Sequence, residues 1–132
     1  MNSSLSIDKK YIYQYLTNSS KPKGIVHICH GMAEHIKRYS WLIEKLNVDG
    51  YHVISIDHRG HGNRIENNIK GYFGDINGWN MVVKDLLELA NGSKNKFPNL
   101  NQYVLAHSMG SWIALAAMQK GMDVDGLIIS GS

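Results

Sequence analysis

Ala106-His107-Ser108-Met109-Gly110 lies between the apolar run Tyr103-Val104-Leu105 and the helical stretch Ser111-Trp112-Ile113-Ala114-Leu115-Ala116-Ala117. A small residue two before a serine and a glycine two after it allow a strand and a helix to approach closely across a tight turn. Such an elbow lifts the serine hydroxyl to the end of a sheet. Ala106 stands where the pattern has glycine; alanine is the smallest residue with a Cβ, so the departure is mild. A serine hydroxyl is a poor nucleophile at neutral pH and needs both exposure and a base. Ser108 is the candidate nucleophile, with His107 and Gly110 supporting the turn.

The rest of the chain supplies a frame for that unit. Gly24–Cys29 is a short, nearly continuous apolar run, which suits a strand covered on both faces. His52–Asp57, Gln102–Ala106 and Gly126–Ile129 read as further strands. Ser40–Asn47, Trp79–Ala90 and Met109–Gln119 carry apolar residues at helical spacing. Asn91-Gly92 predicts the end of the second helix. Tyr11, Tyr13 and Tyr15 alternate with Ile12, Gln14 and Leu16, so Leu5–Leu16 reads as a hairpin. Asp57–Asn68 is polar and reads as a long loop. Strands alternating with helices predict an α/β fold, a mostly parallel sheet with flanking helices. There is no internal repeat and no linker, so residues 1–132 form one unit.

Composition excludes several function classes. The chain has 132 residues, 43% of them hydrophobic, and a net charge of +3. Its basic residues are scattered, with no run of five or six like charges, so no nucleic-acid arm is present. There is no Gly-x-Gly-x-x-Gly and no Gly-x-x-x-x-Gly-Lys-Ser/Thr, which removes the nucleotide-binding reading. No stretch of 18 apolar residues occurs, so no transmembrane segment is expected. The first residues lack a basic and an apolar region, so no signal peptide is expected. The single cysteine, Cys29, lies in an apolar strand and reads as a small core residue. It forms no internal disulfide, which fits a cytoplasmic protein.

Two more loops follow strands. His30-Gly31-Met32-Ala33-Glu34-His35 comes directly after the first strong strand. Acyl transfer needs N–H donors aimed at the developing oxyanion. One comes from the residue after the nucleophile, here Met109. The other comes from this strand-following loop, which makes Met32 N–H the candidate, supported by His30 and Gly31. Asp57-His58-Arg59-Gly60-His61-Gly62 follows the next strand. Its histidines, with His30 and His35, bring metal to mind. No His-Glu-x-x-His helix exists and no carboxylate or thiolate is spaced as a partner, so no metal and no cofactor are expected. A loop-shaping hydrogen-bond network is the better use for them.

Together these three motifs resemble the monoacylglycerol lipase and lysophospholipase branch of the α/β-hydrolases, of the serine aminopeptidase S33 type. Tyr72-Phe73 and Gly78-Trp79 are also similar to that branch. The resemblance runs from about Ile7 to Ser132. It implies a serine hydrolase for single-chain lipid esters, acting through acyl-Ser108, with Met32 and Met109 as oxyanion donors. It further implies a cap, and then the strands bearing the triad acid and histidine, beyond Ser132. The chain therefore resembles the N-terminal half of such an enzyme. All seven histidines precede Ser108. Asp123 and Asp125 precede the last strand, so neither matches the triad acid.

Two functions follow from the sequence. The first is a carboxylic ester hydrolase completed by further chain or by a complementary partner. The second is a catalytically inactive fragment or interaction remnant. A sheet ending at 126–129 would expose an apolar edge, which favours self-association or a complementary chain.

Overall fold

The five strands of the computed structural model are β1 (Ile12–Tyr15), β2 (Gly24–Cys29), β3 (Tyr51–Ile56), β4 (Gln102–His107) and β5 (Gly126–Ser130). The structure describes residues 11–65 and 78–131. The strands form one sheet in the order β1-β3-β2-β4-β5. β2, β3, β4 and β5 are parallel, and β1 runs antiparallel to β3. The predicted mostly parallel sheet is therefore present.

Helices α1 (Ser40–Val48), α2 (Gly78–Lys96) and α3 (Met109–Gln119) connect the strands. Alternation along each strand decides which side a residue covers. Ile25 and Cys29 of β2, Ile54 and Ile56 of β3, and Val104 and Ala106 of β4 pack with Val82, Leu86 and Ile113 of α2 and α3. Val26, Ile28 and Val53 point the other way, onto Ile36 and Ile43 beside and within α1. All six residues of β2 are buried, as its continuous apolar run requires. Burying one such side chain contributes about 1.5–3 kcal/mol, so two covered faces hold the central strands firmly.

Of the hairpin expected over Leu5–Leu16, the described part contains β1, which pairs with β3, Tyr13 opposite Ser55 and Tyr15 opposite Val53. Residues 5–10 lie outside the described residues, as do Tyr72-Phe73. One expectation needs correction: α2 continues through Asn91-Gly92 to Lys96. Tertiary packing outweighs the glycine there, whose helical cost is about 1 kcal/mol. Ser93 is buried, and its carbonyl accepts the Phe97 N–H at 2.8 Å. The Phe97 ring in turn packs on His52, with centroids 4.8 Å apart. The loop expected after Asp57 contains a short 3₁₀ turn at Gly62–Arg64, and residues 66–68 of it lie outside the described residues.

The far edge of the sheet is apolar. Ile128 is 60% exposed on β5 and Trp112 is 59% exposed on α3. Among the described residues nothing pairs with the outer side of β5.

Candidate active site

Ser108 sits between β4 and α3 with φ 54° and ψ −120°. That positive φ is uncommon for a residue with a side chain and costs on the order of 1–3 kcal/mol. Packing around the turn holds it there. The Ser108 N–H donates to the Ser130 carbonyl at 2.9 Å, and the Ser108 carbonyl accepts the Ser111 N–H at 2.9 Å. Gly110 lies so close to β2 that a Cβ would fall 2.2 Å from the Cys29 carbonyl oxygen. Glycine at this position is thus a packing requirement. The turn is the sharp strand-to-helix elbow that the sequence predicts.

The loop after β2 lies against that elbow. A Cβ on Gly31 would stand 3.2 Å from Ser108 Cβ and 3.4 Å from the His107 carbonyl. Met32 follows and is 62% exposed, and Ala33 adopts a φ of +62°. The Glu34 N–H closes the turn on the Gly31 carbonyl at 3.3 Å. Met109 is the first residue of α3 and is half-buried. Beside this loop lies a cavity of about 410 Å³, lined in part by Met32, Ala33, His35, His61 and Ile65.

His30 is buried, and both its ring nitrogens are engaged. Nδ1 donates to the Gly31 carbonyl at 2.8 Å, and Nε2 accepts the His58 N–H at 2.9 Å. That pattern needs a neutral imidazole. Its ring packs on those of His58 and His61, with centroids 4.1 and 5.3 Å away. The histidines therefore tie the two strand-following loops together, as a loop-shaping network would. Among the described residues no group of three or more metal-ligating side chains is placed to hold an ion.

The Asp57–Gly62 loop is pinned from several sides. The Asp57 carboxylate accepts the Ile36 N–H at 2.8 Å and the Tyr13 hydroxyl at 3.1 Å. Gly62, with φ +53°, lies where a Cβ would meet that carboxylate at 2.4 Å. Arg59 and Arg64 both reach the buried Asp85 of α2, at 2.9 and 3.0 Å. Sequence reading did not assign Asp57, Asp85 or Glu34. For Glu34 a signal existed: it lies three residues after Gly31, the reach of a side chain folding back onto the start of its own turn.

Burial lowers the His30 imidazole to about 4. It also lowers His58 well below its ordinary 6.5, helped by the neighbouring His30 and His61. Both are neutral when folded and take up protons in the unfolded chain below that ordinary value. Acid therefore favours unfolding. Stability is expected to fall by roughly 1–3 kcal/mol as pH drops from 6.5 towards 4. Urea midpoints at a series of pH values check this. His58→Asn, which cannot protonate there, is expected to show a shallower decline; an equally steep one would assign the loss elsewhere.

Residues 20–132 match the family described as serine aminopeptidase, S33. The chain belongs to that family of hydrolases. It is 33% identical over 107 residues to a monoacylglycerol lipase of Mycolicibacterium smegmatis, covering 81% of this chain and 36% of the relative. It is 30% identical over 127 residues to the monoglyceride lipase of Rattus norvegicus, covering 95% of this chain and 40% of the relative. A thermostable carboxyl esterase from Bacillus coagulans, solved with glycerol, superposes with a TM-score of 0.80 at 33% identity. That match covers 89% of this chain and 38% of the esterase. The S33 chain described here thus spans two-fifths or less of the length of these three proteins. The α/β-hydrolase fold and the resemblance read from the three motifs are confirmed.

Proposed function

We propose that this chain supplies the nucleophile half of a serine hydrolase for carboxylic esters, with monoacylglycerols or lysophospholipids as substrates. The observation that carries the reading is the strained Ser108 elbow with Gly31 packed directly against it. Ser108 Oγ attacks the ester carbonyl and gives its proton to an imidazole base. The Met32 and Met109 N–H groups receive the resulting oxyanion. Collapse breaks the ester C–O bond, the alcohol leaves with the proton, and acyl-Ser108 remains for water to hydrolyse. No residue after Ser108 in this sequence can be that base, so it comes from a complementary segment or chain. The names of the relatives support the lipid class, and a metal or organic cofactor has no role in this chemistry.

An inactive interaction remnant is the second reading, favoured by the exposed Ile128 and Ile129 on the edge strand β5. In both readings that edge is where a complementary chain or a second copy pairs. No described helix is long and apolar enough to cross a membrane. The buried free thiol of Cys29 supports a reducing, cytoplasmic setting.

The test is a chimaera in which this chain replaces the matching segment of the Mycolicibacterium smegmatis monoacylglycerol lipase. Hydrolysis of a monoacylglycerol, lost on Ser108→Ala, is the expected result. A folded chimaera without activity would favour the remnant.

A further inference from the structure

The loop after β2 is fixed by a side chain that takes no part in the chemistry proposed for it. Glu34 Oε1 accepts the Gly31 N–H at 2.7 Å and the Tyr39 hydroxyl at 2.8 Å. We propose that Glu34 is the positioning residue of this loop, its carboxylate clamping the Gly31–Met32 backbone against Ser108. The proposal rests on the reading of that backbone as an oxyanion donor.

Three observations converge on the clamp. A Cβ on Gly31 would lie 3.0 Å from Glu34 Oε1 and 3.2 Å from Ser108 Cβ, so the glycine is held between the carboxylate and the nucleophile. The same turn carries the positive φ of Ala33, a strain that the backbone alone does not sustain. The clamp also joins separate elements. Tyr39 belongs to the 3₁₀ turn at Ile36–Tyr39, while Gly31 follows β2.

The charges around Glu34 keep the clamp closed. Partial burial alone would raise its carboxyl, but hydrogen bonds from Tyr39 and Gly31 outweigh this. The fields of His107 on β4 and Arg38 on the 3₁₀ turn act in the same direction and hold it below its ordinary value. Burial and the Glu34 carboxylate push the Tyr39 phenol up, so it remains a donor. An ionised acceptor makes roughly twice the contribution of a neutral one, and leaving its donor unmet costs about 1–3 kcal/mol. The oxyanion loop thereby keeps its geometry at neutral pH without ligand.

The experiment is amide NMR on the ¹⁵N-labelled chain. The Gly31 N–H resonance should titrate with Glu34, with a midpoint below the 4.5 of an ordinary glutamate. Glu34→Ala should speed Gly31 hydrogen exchange by about tenfold or more, whereas Glu34→Gln, whose amide oxygen still accepts, should stay within about threefold. Tyr39→Phe should leave Gly31 exchange unchanged and raise the midpoint. A Gly31 resonance that ignores Glu34 would overturn the clamp, as would equal exchange in the Ala and parent chains. Should Glu34→Ala fail to fold, the parent titration and the Gln variant decide. The readout needs no turnover. An inactive chimaera with a titrating Gly31 condemns the esterase reading alone, and an active one with a silent Gly31 condemns the clamp alone.

Discussion

Gly110→Ala is expected to leave the chain largely unfolded in buffer where the parent is folded. In an ordinary helix this exchange helps, because alanine is preferred over glycine by about 1 kcal/mol. Here the sign reverses. The new Cβ would lie 2.2 Å from the Cys29 carbonyl oxygen and 2.7 Å from both Cys29 C and the His30 carbonyl oxygen. These are backbone atoms at the end of β2, which is hydrogen-bonded between β3 and β4 and buried along its whole length. No flexible side chain is available to yield. Either α3 withdraws, and the apolar contacts of Ile113 and Ala114 are lost, or the elbow opens. The cost is about 3–5 kcal/mol, comparable to the whole stability of a small domain. Far-UV circular dichroism and urea unfolding check it. Gly121→Ala is the control: its φ is +90° but nothing lies within 4 Å of its Cβ position, so only backbone strain of about 1–2 kcal/mol is added. A Gly110→Ala chain with a midpoint at or above the parent's would mean that α3 does not bear on β2 as described.

That contact also explains how much of the molecule was legible in its sequence. The elbow could be read because two local constraints coincide: small residues flanking Ser108 and apolar runs on either side. β2 was legible because a strand covered on both faces leaves no polar alternation. α2 was misread at its end, since the reason to continue past Gly92 lies in Phe97 meeting His52 from another strand. β1 was legible as period-two chain, but its partner was not, because pairing with β3 is a contact across the fold. The site divides in the same way. Ser108 and the loop at His30-Gly31 could be located by their place after strands. What holds them was legible only for the local bond of Glu34 to Gly31, three residues before it; the Glu34 bond to Tyr39 and those of Asp57 and Asp85 run to groups on other turns and elements. The histidines were legible as shaping residues only by elimination; the ring contacts of His30 with His58 and His61 give that role a geometry.

The isolated chain is expected to hydrolyse a short-chain nitrophenyl ester at close to the background rate, with Ser108→Ala no slower. Ser108 needs a base to take its proton, and His27, His30, His52 and His58 are buried within the fold. His30 has both nitrogens engaged with Gly31 and His58. His58 is buried and its imidazole is lowered far below neutrality, which makes it a weak proton acceptor. His27 and His52 are buried, the first bound to Ile54 and Gln102 and the second to the Thr17 N–H. His107 precedes Ser108 on the strand and faces a separate cavity with Glu34, Arg38 and Tyr39. His35 stands at the loop beyond Glu34, beside the cavity that Met32 lines. Losing nucleophile or base in a well-studied serine protease lowers kcat by about 10⁶-fold, and leaves ~10³–10⁴-fold over water from the oxyanion hole and binding. With the base unsupplied, a comparable loss is expected here. Parallel assays of the parent and Ser108→Ala chains decide it. Equal rates agree with a nucleophile awaiting its base, whereas a robust rate abolished by the substitution would sink the prediction. It would place the base among the histidines that precede Ser108, or on a second copy of the chain docked near the elbow.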